Sequence, residues 1–360
     1  MKLVTSESLI LIRTTISVRD ALKRMDEVAE GILFVVDDDM RLLGTLTDGD
    51  IRRGILKGVE ISGSIESIFN ANPFFITRAA YEETTVKNAF EKSKFVAIPI
   101  THDNGIIYGY IRFDDLYKDG ELPLRVETID VPVVIMAGGK GTRLAPFTTV
   151  LPKPLVPVGE RTILEHIIAE FQKYGVSEFF FTLNYKGEMI RAYFDGIEKN
   201  YKITYIREGD FWGTAGSLAL LPETMPETFF VSNCDILVKA NYHDVLAFHK
   251  KISADITVVS SIQHHVVPYG VLNFEKGGIV SSIEEKPEYT FCINTGVYVV
   301  EKACLRHIKQ NQVFHMTHLM EAVMKNGGTV ATYPVSENSY IDIGQWDEYR
   351  KAVEQISFDF

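Results

Sequence analysis

The sequence predicts an α/β protein in two parts: a small α+β module built on an internal repeat, then a larger mixed sheet with helices on both faces. Three observations carry this. Residues 33–53 and 97–118 share one order of β-branched strand, polar turn, second strand and acidic helix start. From residue 131 onward, short apolar strands alternate with helices of 3.6-residue apolar period. Between the two parts, residues 120–132 (GELPLRVETIDVP) hold Pro123 and Pro132 and show no helical period, as a connector does.

Composition bounds the rest. A chain of 360 residues suits two domains, expected at 1–125 and 126–360, and 46% hydrophobic with 24% charged residues is the make-up of a folded globule. A formal charge of -11 gives no general attraction to nucleic acid or anionic lipid, so neither is an expected partner and phosphate must be bound by local geometry. Cys234, Cys292 and Cys304 are odd in number and lack metal-ligand spacing, which suits buried thiols in a reducing, cytoplasmic setting. The apolar stretch Leu9–Ile12 is far shorter than a signal-peptide core and runs into Arg13, and no run approaches the ~20 apolar residues of a membrane span.

In the first part, Val18, Leu22 and Met25, and later Val86, Ala89 and Phe90, recur at helical spacing ahead of each repeat copy. Gly109 falls on Gly44 and Asp115 on Asp50. Each copy alone would leave an apolar face uncovered, so the two are expected to pack as one domain. The repeat resembles a pair of CBS motifs, named for cystathionine β-synthase. In that family a Gly-x-x-Thr-x-x-Asp at a strand-to-helix junction holds the ribose and phosphate of an adenine nucleotide, and Gly44, Thr47 and Asp50 fit it. The second copy keeps Asp115 but has Arg112 in place of the Thr, so the resemblance implies one competent regulatory site and, as such pairs commonly dimerise, a homo-oligomer. Thr47 and Asp50 are equally the residues that would cap a helix running from Ile51.

In the second part, VPVVIMAGG reads as a buried strand ending in glycines. TILEHIIAEFQKYG then sets Ile163, Leu164, Ile167, Ile168 and Phe171 on one helix face, with Gly175 as its stop. EFFFTLNY, ITYIRE, TFFVSNCD and DITVVSSI follow as strands, with GEMIRAYFDG and HDVLAFHKK as helices between. The alternation predicts a largely parallel sheet with its ligand site at the C-terminal strand ends.

Chemistry concentrates at those ends. Ala137-Gly138-Gly139-Lys140-Gly141-Thr142-Arg143 directly follows the first strand. Its glycines let backbone N–H groups approach a phosphate, and Arg143 adds a cationic fork, which makes an anion cradle. The loop is neither G-x-x-x-x-G-K-[ST] nor G-x-G-x-x-G, which disfavours P-loop and dinucleotide enzymes. Lys153 lies between Pro152 and Pro154, which restrict the backbone that aims its ammonium. A plain glycine turn and a rigid loop with an exposed lysine are the alternatives.

GGxGTRL followed by KPLxPV resembles the sugar-1-phosphate nucleotidyltransferase family, over residues 131 to about 350. The resemblance implies a Rossmann-like fold, magnesium as cofactor, and nucleoside triphosphate and sugar 1-phosphate as substrates. It further implies that Gly213-Thr214-Ala215-Gly216 contacts the nucleobase and sugar, and that Asp235 and Asp342 bind magnesium. Tyr269, Gly270, Glu285, Lys286, Asn294 and Thr295 would then hold the sugar and its phosphate. Taken singly, Asp235 and Asp342 would pass for cap or turn residues, and Glu285–Lys286 for a surface ion pair. Many relatives have Gly where Cys234 stands. His264, His265, His315 and His318 lack an H-E-x-x-H pattern, so zinc is not expected.

The reaction so implied is attack of a sugar-phosphate oxygen on the α-phosphorus of the triphosphate, giving NDP-sugar and pyrophosphate. A phosphate dianion needs no histidine or serine to activate it, only cations and alignment. The Gly-Thr-Ala-Gly loop resembles guanylyltransferases, with mannose or glucosamine 1-phosphate as acceptor and surface-glycan or nonulosonic acid synthesis as the setting. UTP, dTTP or CTP as donor, an inactive nucleotide-sensing subunit, and a molybdopterin-type guanylyltransferase are the other readings.

Overall fold

The computed structural model describes residues 2–3, 8, 10–28, 30–93, 95–113, 128–309, 312–344, 346, 348–350 and 353. The chain forms two compact units, Met1–Leu124 and Arg125–Phe360.

In the first unit the repeat is visible as geometry. Strand Leu11–Ile12, helix Val18–Val28, and strands Ile32–Val36 and Leu42–Thr47 form one copy, the first two strands parallel and the last antiparallel. Ile76–Thr77, helix Glu83–Lys92, Ala97–Thr101 and Ile107–Arg112 repeat that order and those directions. Both copies carry a bulge at the same place, where Val35 pairs with Gly44 and Ile100 with Gly109. Gly44 is required by packing: a Cβ there would lie 2.3 Å from the Asn70 carbonyl oxygen.

The second unit is built on a seven-stranded mixed sheet. Its order is Lys202–Arg207, Glu178–Leu183, Val133–Met136, Thr228–Asn233, Glu288–Glu301, Ile256–Val266 and Val330–Val335. The first four strands are mutually parallel, Glu288–Glu301 is antiparallel to both neighbours, and the last pair is parallel again.

Period-two alternation assigns the faces. Val133, Ile135, Phe179 and Phe181 pack with helices Ile163–Gln172, Gly187–Gly196 and Tyr242–Ile252, whereas Val134, Met136, Phe180 and Phe229 pack with helix Met316–Lys325. Helix Ile163–Gln172 begins in a capping box, Thr162 and Glu165 each satisfying the other's backbone N–H. Among the described residues no helix is long and apolar enough to cross a membrane. From Val133–Met136 the chain builds outward to one side and then returns to the other at Thr228–Asn233, so a crevice opens at the C-terminal ends of these two neighbours.

Candidate active site

The glycine loop leaves the strand Val133–Met136 and Asn233–Asp235 leaves its parallel neighbour, Asn233 standing opposite Met136 in register. A cleft of about 330 Å³ lies between them. Gly138, Gly139, Gly141, Thr142, Arg143, Lys153, Gly213, Thr214 and Asp235 line it, together with Glu208, Phe211, Ser217, Asn233 and Cys234. Gly139 is open on the side a Cβ would take, so its backbone is free to approach a ligand. Gly141 has φ +65°, and a Cβ there would fall 2.8 Å from Lys153 Cβ. Only glycine permits both that backbone and that approach.

Lys153 is 6% exposed, and its ammonium is ion-paired with Asp235. Asp342 joins them because strands Ile236–Val238 and Tyr340–Asp342 pair antiparallel, Ile236 opposite Asp342, while Ile343 N–H donates to the Asp235 carbonyl at 2.9 Å. A Cβ at Gly344 would lie 2.6 Å from Asp342 Oδ1, 3.2 Å from Lys153 Nζ and 3.4 Å from Asp235 Oδ2, so the three groups surround one point. Burial first, and the like charge of Asp235 second among the raising causes, push the Asp342 carboxyl above its ordinary value. The Gly344 N–H, Lys153 and Arg143 oppose the rise.

Two carboxylates held side by side, one destabilised by the other, are a donor set for a hard divalent cation. Magnesium fits this pair. Among the described residues no group of three or more His, Cys, Asp or Glu could hold a metal ion. His264 instead contacts Thr290, and the His315 and His318 rings pack on each other. All three cysteines are free thiols, and burial pushes Cys234 and Cys304 up to about 12.

The nucleotidyl transferase family profile matches residues 132–357, most of the chain. The chain belongs to that family. A CBS domain profile matches residues 3–57. Over 183 residues the chain is 35% identical to the mannose-1-phosphate guanylyltransferase catalytic subunit beta of Dictyostelium discoideum, covering 49% of this chain and 51% of that protein. It is 26% identical over 243 residues to a UTP–glucose-1-phosphate uridylyltransferase of Synechocystis, covering 62% of each. The chain therefore spans only about half to three-fifths of these curated relatives. Among solved structures, HddC from Yersinia pseudotuberculosis superposes with a TM-score of 0.51 at 26% identity, over 63% of this chain and 99% of that one. HddC has also been crystallised with GMP-PN.

Several residues singled out by sequence stand elsewhere than expected. Ala137 is buried and donates its N–H to the Thr182 carbonyl, so it prolongs the sheet and is no part of the cradle. Ala215 and Gly216 lie behind the cleft, their N–H groups both taken by the Phe314 carbonyl. Gly213 faces the cleft, yet a Cβ there would meet that same carbonyl oxygen at 2.8 Å, so packing against Phe314 and His315 also demands it. Thr295 is fully buried and its hydroxyl donates to the Val259 carbonyl at 2.7 Å, so it shapes the bulge and cannot reach a sugar. Beside it Gly296 lies against Asn233 of the cleft, while the Asn294 amide turns back on its own strand, donating to the Tyr298 hydroxyl at 2.9 Å and accepting from the Gly296 N–H at 2.9 Å. Tyr269, Gly270, Glu285 and Lys286 gather at the base of the exposed hairpin Val271–Phe274 and Val280–Glu284; the ideal Cβ of Gly270 lies 3.1 Å from Glu285 Oε2.

In the first unit, Thr47 and Asp50 form a reciprocal capping box on helix Asp48–Leu56. Arg112 pairs with Glu30 at 2.9 Å, a structural use of the position where a Thr was expected. Asp115 lies outside the described residues.

Sequence reasoning missed Glu208. It is 5% exposed, directly follows the strand Lys202–Arg207, and sits where a Cβ of Gly138 would be 2.7 Å from its Oε1. Burial raises its carboxyl above the ordinary value, while the Trp212 backbone N–H and the Thr182 and Ser217 hydroxyls work against the rise. The only signal was a charged residue closing an apolar strand on the side where ligands bind.

Proposed function

We propose that the protein is a sugar-1-phosphate nucleotidyltransferase that uses GTP. A sugar-phosphate oxygen attacks the α-phosphorus in line, and the bond to the β,γ-phosphates breaks, giving GDP-sugar and pyrophosphate. The convergence of Lys153, Asp235 and Asp342 beside the glycine loop carries this reading, because the chemistry needs repulsion between two anions suppressed at one point.

In this assignment the backbone from Gly138 to Thr142 holds the triphosphate, Gly139 approaching it closest. Arg143 and Lys153 stabilise charge on the transferring and leaving phosphates. Magnesium held by Asp235 and Asp342 would supply Lewis-acid neutralisation of the phosphate oxygens. Tyr269, Gly270, Glu285 and Asn294 orient the sugar hydroxyls, and Lys286 meets the acceptor phosphate as a point charge.

Glu208 supports guanine. A guanine edge presents N1–H and N2–H side by side, which one carboxylate can accept together. Uracil and thymine present a single N–H flanked by carbonyls that a carboxylate repels. The destabilised carboxyl of Glu208 is what two such donors would relieve. The resemblance to a mannose-1-phosphate guanylyltransferase favours mannose 1-phosphate over glucosamine 1-phosphate as acceptor, for a surface-glycan or nonulosonic acid precursor. The CBS unit would hold an adenine nucleotide at Thr47 and Asp50 and support a homo-oligomer, in the cytoplasm.

Pyrophosphate release by the purified chain with magnesium, across GTP, UTP, dTTP and CTP and a panel of sugar 1-phosphates, tests the reading. GTP with mannose 1-phosphate is expected to be the fastest pair. Absence of release with every pair contradicts it.

A further inference from the structure

The helical turn Phe147–Val150 lies between Arg143 and Lys153 in sequence and is a single turn long. A helix that short does not stand on its own hydrogen bonds, and its last carbonyls need partners from outside. Lys186 supplies them. Its ammonium donates to the carbonyls of Thr149 at 2.6 Å and Val150 at 2.9 Å, and reaches that of Thr148 at 3.4 Å. A cation is also what the negative end of a helical turn favours.

The turn in turn seats the glycine loop. Thr148 is 4% exposed, and its Cγ2 would be 3.0 Å from a Cβ at Gly141, on whose flank Lys153 also packs. The neighbouring Tyr185 N–H donates to the Gly138 carbonyl at 3.4 Å, so residue 185 holds the loop itself while Lys186 holds the turn packed against it.

The backbone of Lys186 is itself unusual. Its φ is +52°, in the left-handed region that L side chains rarely adopt. Glycine would take that conformation more easily, so the local backbone does not call for lysine, whereas the three carbonyls call for its ammonium.

We propose that Lys186 is a positioning residue for the transfer reaction: by clamping the turn Phe147–Val150, its ammonium fixes Gly141, Arg143 and Lys153 relative to one another. This rests on the transferase reading above. Three variants test it, Lys186→Gly, Lys186→Met and Lys186→Arg, compared by steady-state kinetics, melting temperature and hydrogen–deuterium exchange.

The glycine variant relieves the backbone, so its melting temperature should equal or exceed that of the unmodified protein. Its kcat should nevertheless fall by about tenfold or more, since small misplacements of reacting groups are costly. KM for the sugar phosphate should stay within about twofold, a split that general loosening would not produce. Methionine, which keeps the left-handed backbone strain, should lose kcat in the same way, and arginine, which restores donors, should recover most of the rate. The amides of Thr149 and Leu151 should exchange faster in the glycine and methionine variants only. Unchanged kcat and unchanged exchange in both would overturn the proposal. An unmodified protein without turnover would refute the transferase reading instead, and exchange alone would then decide whether the clamp exists.

Discussion

Asp235 and Asp342 stand side by side because Ile236 pairs with Asp342 in a two-stranded antiparallel ladder, and the Lys153 ammonium closes the group by pairing with Asp235. The ladder is separate from the main sheet. It joins a loop at the crevice to a segment near the end of the second unit, and so converts two distant aspartates into one anionic point beside an anion cradle.

That arrangement has a pH signature. The Asp342 carboxyl is raised by burial and by Asp235, so the fold favours its protonated form. The stability it contributes is full below the pKa of the unfolded chain and is lost as pH rises through the raised value. At neutral pH and without metal the charged carboxylate is therefore a liability. Asp342→Asn should melt higher than the unmodified protein at pH 7.5 in chelator, and the gap should close toward pH 4. Magnesium should reverse the order, raising the melting temperature of the unmodified protein and leaving an Asp235→Asn, Asp342→Asn double variant unmoved.

Lys153 and Arg143 should separate in kinetics. Arg143 is exposed and lines the cleft, so Arg143→Ala should lower kcat by about 10²–10³-fold with little change in melting temperature. Lys153 is buried, and Lys153→Met leaves Asp235 and Asp342 facing each other without their cation. It should lower turnover and melting temperature together, and Asp235→Asn added to it should restore part of the stability but none of the rate. Denaturant melts and pyrophosphate release on the four proteins would show both patterns.

Much of this was legible in the sequence, and the exceptions share a cause. The strands and helices followed from apolar period, and the cleft lined by the glycine loop, Arg143, Lys153 and Asp235 followed from glycines, cations and aspartates at strand ends. Ala137, Ala215, Gly216 and Thr295 belong to the same motifs but serve the scaffold, because a motif records a loop whole, while only some of its residues turn toward the cleft. Gly44 shows the same ambiguity, since close approach to Asn70 demands it without any ligand. Glu208 and Lys186 escaped for the opposite reason. Each is an ordinary charged residue locally, and what distinguishes it is a partner brought by tertiary folding, Gly138 in one case and the carbonyls of residues 148–150 in the other.

The glycine loop admits a direct test of shape. Gly141 combines φ +65° with a packed flank, a Cβ falling 2.8 Å from Lys153 and 3.0 Å from Thr148. Gly141→Ala should cost on the order of 1–2 kcal/mol from backbone strain alone, and more from displacing Lys153. Gly139→Ala meets nothing within 4 Å and should leave stability nearly unchanged. If Gly139 is where the triphosphate approaches, KM for GTP should rise in that variant even so.

In the first unit, Thr47 and Asp50 serve a capping box as they stand. Thr47 Oγ1 donates to Asp50 Oδ2 at 2.6 Å and accepts from the Asp50 N–H at 3.2 Å, while Asp50 also pairs with Arg53 at 2.6 Å. A nucleotide ribose would have to share these groups. Thr47→Ala should destabilise the unit by about 1 kcal/mol whether or not a ligand binds, since that is the worth of the cap. The discriminating measurement is the shift in melting temperature on adding ATP, ADP or AMP. A shift in the unmodified protein that Thr47→Ala abolishes and Thr47→Ser retains assigns the hydroxyl a second use. No shift with any of the three in the unmodified protein leaves the cap as the whole of its role, and the repeat as a scaffold.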